Sequence, residues 1–495
     1  MTGMARMASL ALVLSGLIVA VACGSDPIVR TTECVPGEAI ACGGSTCSKV
    51  CGSDGLYGAC TCVDASVVID SGPDAAPDVG VEAGVEAEAE AGPITWGHAF
   101  APPDGVSYAV AVDKNQNAIV AGKGSGLGAG LTKLTPSGAV LWQKSFSFVY
   151  RVATDSAGAV YALGSSAGNE DFGGGTVSAT GAYLAKFDAA GVYQWLLGPF
   201  TGQANEVRVR ANGNVVVVGV LQGTGFDFGG GMLTPSLSGG DGFIVEVTGA
   251  KAHVSSKLYA SAGGTTSFTA AALDASDDLI VAGVFNGTTI NLGGATLALT
   301  DGASFLVKLG PAMTYVAQNQ ALGQGLNRLA SLDVSPAGHV FVGGEISASL
   351  QWGTAPVVAI GPPNVFVSRL DGNLGEVWTK RFGGVSGQSM NGLAADPSGG
   401  VVITGWTRGN LYFGLPGMPS VEAGYIARFD ANGNVVANRG LVVPNASATG
   451  HAVANVSGPD FVVVGTCTGG NMSLPSGPIV CKGGDLVGFA ARLSP

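Results

Sequence analysis

The stretch ITWGHAF, residues 94–100, reads as a β-strand, with Ile94, Trp96 and His98 alternating against Thr95, Gly97 and Ala99. Upstream lies VDASVVIDSGPDAAPDVGVEAGVEAEAEAGP (63–93), with eight acidic residues and no Lys or Arg. Self-repulsion and Pro/Gly content predict an extended, disordered spacer there. The strand at 94–100 therefore has no upstream neighbour to pair with, and its partner has to come from later in the chain.

The rest of the sequence is repetitive. A short apolar strand ending in glycine recurs as NAIVAG (117–122), AVYALG (159–164), NVVVVG (214–219), DLIVAG (278–283), HVFVGG (339–344), GVVITG (400–405) and DFVVVG (460–465). The final glycines are 42, 55, 64, 61, 61 and 60 residues apart. A shorter strand and a turn precede each, as in AVAVDKNQ and LASLDVSPAG. A third strand follows: LTKL, YLAKF, FIVEV, FLVKL, FVSRL, YIARF and GFAARL, basic at the matching position except for Glu246. After a Gly/Asp/Asn turn comes a fourth, such as AVLWQKSF (139–146) or EVWTKRF (376–382). Continuous apolar runs such as VVVV (215–218) predict burial on both faces. Four-stranded units of about 60 residues with both faces buried are propeller blades.

The seventh repeat stops at GFAARLSP without a fourth strand, and ITWGHAF looks like the missing piece. The predicted fold is all-β: a seven-bladed β-propeller of four-stranded antiparallel blades. Its ring is closed by the N-terminal strand, which completes the last blade and leaves no open seam. On this reading blades four and seven lack the fourth-strand Trp, and blade three lacks both Trp and the basic residue.

NEDFGGGTVSATGAYLAKFDAAGVYQW (169–195), FDFGGG (226–231), EVWTKRFGG (376–384) and ARFDANGN (427–434) resemble the SBBP repeats of bacterial secreted and surface proteins. The resemblance covers roughly 94–495 and implies a propeller in an extracytoplasmic setting. It implies no reaction, because that family is not defined by an active site.

Composition agrees with many short strands and tight turns. Gly numbers 81, and charged residues are 12% against about 25% in typical domains. Residues 1–22 read as a signal peptide, with Arg6 before the apolar run ASLALVLSGLIVAVA (8–22), which is shorter than the ~20 residues of a membrane span. AVAC, ending in Cys23, resembles the bacterial lipobox; the resemblance implies cleavage before Cys23 and its acylation, palmitate included. Gly24 then permits export to the outer membrane. The other reading is an ordinary secretory signal, with Cys23 in a disulfide.

With Cys23 lipidated, eight cysteines remain, an even number suited to an oxidising compartment. Cys34, Cys42, Cys47, Cys51, Cys60 and Cys62 crowd a Gly/Ser/Pro-rich segment (23–62) that lacks core-forming periodicity. Disulfides of undetermined pairing are expected there, with a thiolate metal site as the alternative. Cys467 and Cys481 bracket the connection between the second and third strands of the closing blade, and a disulfide between them is expected. The domain reading is thus 1–22 signal peptide, 23–62 lipidated and disulfide-rich segment, 63–93 linker and 94–495 propeller.

Chemistry is sparse. His98, His253, His339 and His451 are scattered along the chain without metal-ligand spacing. DFGGG lacks the companions of a kinase motif, and its recurrence marks scaffold. KFDAAGVYQW (186–195) imitates the Trp-docking signature of quinoprotein propellers in one place only. DANGN (430–434), DKNQN (113–117) and DASDD (274–278) could ligate calcium weakly, but such residues also make hairpin turns on their own. No Ser–His–Asp set and no convergent acids or His–Tyr pair can be nominated, so no catalytic residue, metal or cofactor is assigned. Arg151, Arg208, Arg210 and Arg328 fall on predicted innermost strands, where they would face the channel as solvated lining or as an anion-attracting pocket.

The expected function is a non-catalytic, monomeric binding or scaffolding module for a protein or glycan, held at the membrane by its lipid. The alternative is a lyase or hydrolase acting on carbohydrate at the channel mouth. Most of the net charge of −12 lies in the linker, and no basic patch suggests nucleic acid.

Overall fold

The computed structural model describes residues 94–494, save for 101–104, 124–129, 237–238, 300–302, 326, 354, 362, 410, 416–421, 444–446, 457–459, 473–477 and 482–485. N-terminal to these it describes the backbone of 39–41, 47–50 and 61–62. That part belongs to a separate compact unit. There the three short segments form an antiparallel sheet in which Cys47 stands opposite Cys62. The signal segment 1–22, Cys23, Cys34, Cys42, Cys51, Cys60 and the linker 63–93 lie outside the described residues.

The body contains seven four-stranded antiparallel sheets, each running from an innermost first strand to an outermost fourth. Blade one uses Val106–Val112, Ala118–Lys123, Leu131–Leu134 and Val140–Lys144. In blade seven, Ala448–Asn455, Phe461–Cys467 and Val487–Leu493 are followed by Ile94–Ala99 as the outermost strand. ITWGHAF thus pairs where the repeat count required. The aromatic residues that open the third strands, Tyr183, Phe243, Phe305, Phe366, Tyr425 and Phe489, are all 0% exposed and fill the seams between neighbouring blades.

The exchanged strand sits in the same register as the native fourth strands. Ile94 pairs with Leu493 and Trp96 with Arg492, leaving Thr95 as a bulge. Leu141, Gln194, Val254, Val316, Val377 and Val436 are bulged at the matching point of the other blades. Trp96 is therefore the counterpart of Trp142, Trp195 and Trp378. This corrects the sequence reading: blade seven has its tryptophan, supplied by the exchanged strand, whereas blade six carries Ala437 there.

The repeated basic residue and the repeated tryptophan act as a pair. In blade one, Lys133 Nζ (3.3 Å) and Trp142 Nε1 (3.1 Å) both donate to the Ala189 carbonyl in the turn of blade two. Lys186 and Trp195 converge likewise on Gly249, Arg369 and Trp378 on Ala431, and Arg492 and Trp96 on Pro136. Each clamp ties one blade to the next, and the last crosses the junction between chain ends. Blade three, with Glu246 at the basic position, is solved differently. Its first strand ends at Val209, and Arg210 turns from there to Glu246 (3.0 Å) while also donating to the Asp277 carbonyl of blade four. Arg210 is thus a buried inter-blade tie and not a channel residue; a glutamate among clamps needs a cation, and Arg210 supplies it.

The glycine that marks each repeat has a steric cause. First strands are bulged opposite it, bringing a carbonyl against its α-carbon in every blade but the fourth, where Gly283 faces the Phe305 and Phe268 rings instead. A Cβ on Gly219 would collide with the Gln203 carbonyl oxygen, and one on Gly465 with that of Thr449. Cys467 and Cys481 form a disulfide, as expected, and both are buried. Closing a loop of that size is worth ~3 kcal/mol on the chain-entropy account.

Candidate functional site

The first-strand bulges create the channel wall. The register skips Tyr108, Tyr150, Asn205, Thr269, Ala330, Asn391 and His451, one residue per blade at one level. Freed from the ladder, these residues alternate with regularly paired neighbours around the axis. Two of their side chains cap backbone groups of the next blade, which an inner sheet edge would otherwise leave bare. Asn205 Nδ2 donates to Phe268 O at 2.7 Å and Asn391 Nδ2 to Gly450 O at 2.9 Å.

A cavity of about 80 Å³ lies at this level, lined by Tyr108, Arg151, Glu206, Arg208, Asn391 and His451 among others. Arg151 Nε stands 3.5 Å from one Glu206 carboxylate oxygen and Arg208 Nη1 3.7 Å from the other. The guanidiniums are also fixed to backbone: Arg151 Nη1 donates to Tyr150 O (2.8 Å) and Arg208 Nε to Ala271 O (2.7 Å). Among the described residues neither Nη2 makes a hydrogen bond or ion pair. Two cations thus share one carboxylate.

An aromatic arc flanks the arginines. Phe148 lies 5.2 Å from Tyr108 and 5.5 Å from Tyr150, and Tyr108 meets His451 edge-on at 5.6 Å. Burial lowers the His451 imidazole to about 4, so it is neutral at physiological pH, with Nε2 3.0 Å from Thr466 Oγ1. Burial also pushes the Tyr108 phenol up and carries Tyr150 to about 12, partly opposed by a backbone hydrogen bond and by Arg151. All three are uncharged hydrogen-bonding groups near neutral pH.

Of the arginines read from the sequence, Arg151 and Arg208 are brought together at the cavity, and Arg210 and Arg328 are not. Arg328 is half exposed, pairs with Glu345 at 2.7 Å and donates to Met390 O. Sequence reasoning missed Glu206, Asn391 and the Tyr108–His451 pair. Tyr108 and His451 belong to blades one and seven and become neighbours only when the ring closes.

The remaining motifs are structural. Asp171 and Asp227 of the DFGGG segments accept two amide hydrogens each within a hairpin tip, and Phe172 and Phe228 plug the blade flank. The connection 221–242 thus folds back through Phe226 and Phe228 onto Phe200 and Phe243. Asp430 and Asp274 are each consumed by two turn amides, and Asp274 also by Lys308 at 2.7 Å. His339 Nδ1 lies 3.0 Å from Gly399 O between blades, His253 contacts Ser256, and His98 packs on Phe100.

No family model and no curated protein matches the chain. Solved structures do share its fold. Virginiamycin B lyase from Staphylococcus aureus is 10% identical, with a TM-score of 0.37, covering 80% of this chain and 98% of that one. A PL25 ulvan lyase bound to its saccharide is 10% identical at a TM-score of 0.39 and covers 76% and 92%. YCF48 bound to a D1 peptide is 9% identical at 0.41 and covers 82% and 100%. At these identities and scores none of them bears on what this chain binds or does.

Proposed function

We propose that this chain is a lipid-anchored, non-catalytic propeller of the bacterial envelope that binds or scaffolds a protein or glycan partner by an acidic group inserted at the channel. The SBBP-like repeats and the lipobox-like AVAC support the setting. The observation that carries the docking reading is the Arg151–Glu206–Arg208 arrangement, with two guanidiniums on one carboxylate in a small, partly open notch. At about 80 Å³ the notch accepts a carboxylate or sulfate but falls well below the ~300 Å³ of a site that engulfs a ligand.

The Tyr108–His451 contact is the feature that would favour elimination chemistry. A general base works best with its pKa near the working pH, and burial has moved both groups away from that point, His451 down and Tyr108 up. Binding is therefore the reading the geometry supports best.

Immobilised sulfated oligosaccharides and acidic peptides, tested at about pH 5.5, should retain the wild-type protein and lose at least ~10-fold in affinity for the Arg151→Ala/Arg208→Ala double variant. Equal retention of both proteins removes the docking reading, and release of an unsaturated sugar product would replace it with the lyase reading. Labelled palmitate should enter the wild-type chain and be absent from Cys23→Ser; labelling of both would remove the anchor.

A further inference from the structure

A second hollow lies away from the channel, where blade three passes into blade four. It is an open cleft of about 470 Å³, with Ser236, Ala260, Ser261, Thr289, Asn291 and Thr296 in its lining. Ser261 is buried and donates to Thr265 O at 3.0 Å, which leaves its oxygen able to accept. Among the described residues the Thr289 and Thr296 hydroxyls and the Asn291 amide nitrogen make no hydrogen bond, while Asn291 Oδ1 accepts the Gly293 amide at 2.7 Å. No side chain lining the cleft is charged; Ser236 turns its amide and hydroxyl to the buried Asp241, at 2.7 and 3.0 Å. The next junction shows why the space exists. By strand register Ala260 and Asn291 correspond to Leu322 and Gln351, between blades four and five. There two backbone hydrogen bonds of 2.9 and 2.6 Å join the pair, and the Gln351 amide nitrogen donates to Gly353 O at 2.7 Å. No backbone bond joins Ala260 to Asn291, and the smaller side chain leaves the gap open. Gly263 adds to it, since a Cβ there would meet nothing within 4 Å.

We propose that this cleft binds a neutral saccharide, at a site independent of the arginines in the channel. Two free hydroxyls and a free carboxamide offer donors and acceptors side by side, and each sugar hydroxyl is both at once. The volume lies within the ~300–1,000 Å³ of sites that take a small ligand. Without a charge in its lining, the cleft gives a carboxylate or sulfate no advantage over a neutral sugar. An apolar side chain of a protein partner would shut the same three groups away from water without replacing their hydrogen bonds, which opposes binding. No aromatic ring lines the cleft for a sugar to stack on, so affinity rests on hydrogen bonds exchanged with water and is weak, with a Kd of about 1 mM.

An array of neutral glycans probed with the purified chain, followed by NMR titration of the best-retained oligosaccharide, tests this. Wild type should bind at least one neutral oligosaccharide. Ala260→Leu, which copies the side chain of the next junction, should weaken that binding about tenfold by filling the cleft. Thr289→Val, which removes one hydroxyl and keeps the shape, should weaken it ~5-fold. Both variants should melt close to wild type. Arg151→Ala/Arg208→Ala should bind the same sugar as wild type does, so the cleft and the docking reading are tested separately. Binding untouched by both cleft variants puts the sugar elsewhere and overturns the proposal. Retention of no neutral glycan overturns it and leaves the docking reading standing. Retention of acidic glycans only, lost in the arginine variant, overturns the cleft and supports the channel. A neutral Gly/Ser peptide that binds in the cleft where sugars do not overturns the saccharide assignment.

Discussion

Removing residues 94–100 should open the ring and lower stability by about 5 kcal/mol or more, a large part of what holds a typical domain folded. The segment contributes the outermost strand of blade seven, and it buries Trp96 and Phe100. Truncating one large buried aromatic costs roughly 3–5 kcal/mol, and here two are lost together with a row of backbone hydrogen bonds. The Trp96–Pro136 bond, one half of the clamp between blades seven and one, disappears as well. Limited proteolysis should then cut first within 448–493, and the thermal midpoint should fall sharply. Trp96→Ala alone should cost about 3–5 kcal/mol with the strand still in place. A truncated protein that melts and resists protease like the intact one would show that the circle is not fastened this way.

Lys133→Met should be nearly as damaging, at about 3–5 kcal/mol, although it removes one solvent-shielded ammonium group and keeps an unbranched side chain only one heavy atom shorter. Lys133 and Asp113 are almost wholly buried and 2.8 Å apart. Burial alone would raise the Asp113 carboxyl, but bonds from Lys133 and Asn117 outweigh it and hold it below the usual range. Taking Lys133 away strands a carboxylate inside the blade and also breaks the bond to Ala189 in the next blade. The pH dependence follows. A folded carboxyl held below its unfolded value stabilises above that value and loses its contribution as pH falls through the folded one. The gap between wild type and Lys133→Met, read from urea midpoints, should thus be widest at neutral pH and shrink in acid. Adding Asp113→Asn should recover most of the loss; a double variant no more stable than Lys133→Met alone would refute the stranded-charge explanation.

The architecture was legible because each blade repeats the same local solution. The recurring Gly, Lys/Arg and Trp answer to a close carbonyl, a buried turn carbonyl and a shared acceptor, and each is visible as a residue type at a fixed spacing. The site was legible only in part. Arg151 and Arg208 could be placed on inner strands, but Arg210 was misassigned because strand alternation does not reveal where a strand ends. The level formed by Tyr108, Asn391 and His451 arises from bulges, which shift one residue per strand without leaving a composition signal. The tryptophan count erred because the exchanged strand was matched by shape without being counted as part of its blade.

The closing strand is also the first part of the propeller reached from the N-terminal side. Any tension transmitted along the chain toward Ile94 arrives at the single strand whose neighbours come from the opposite end of the sequence. A pull on the chain at Ile94 would be carried by the bonds between Ile94–Ala99 and Val487–Leu493, and by Trp96, before it reached any other blade. Mechanical resistance of the whole disc is then set locally, by one seam.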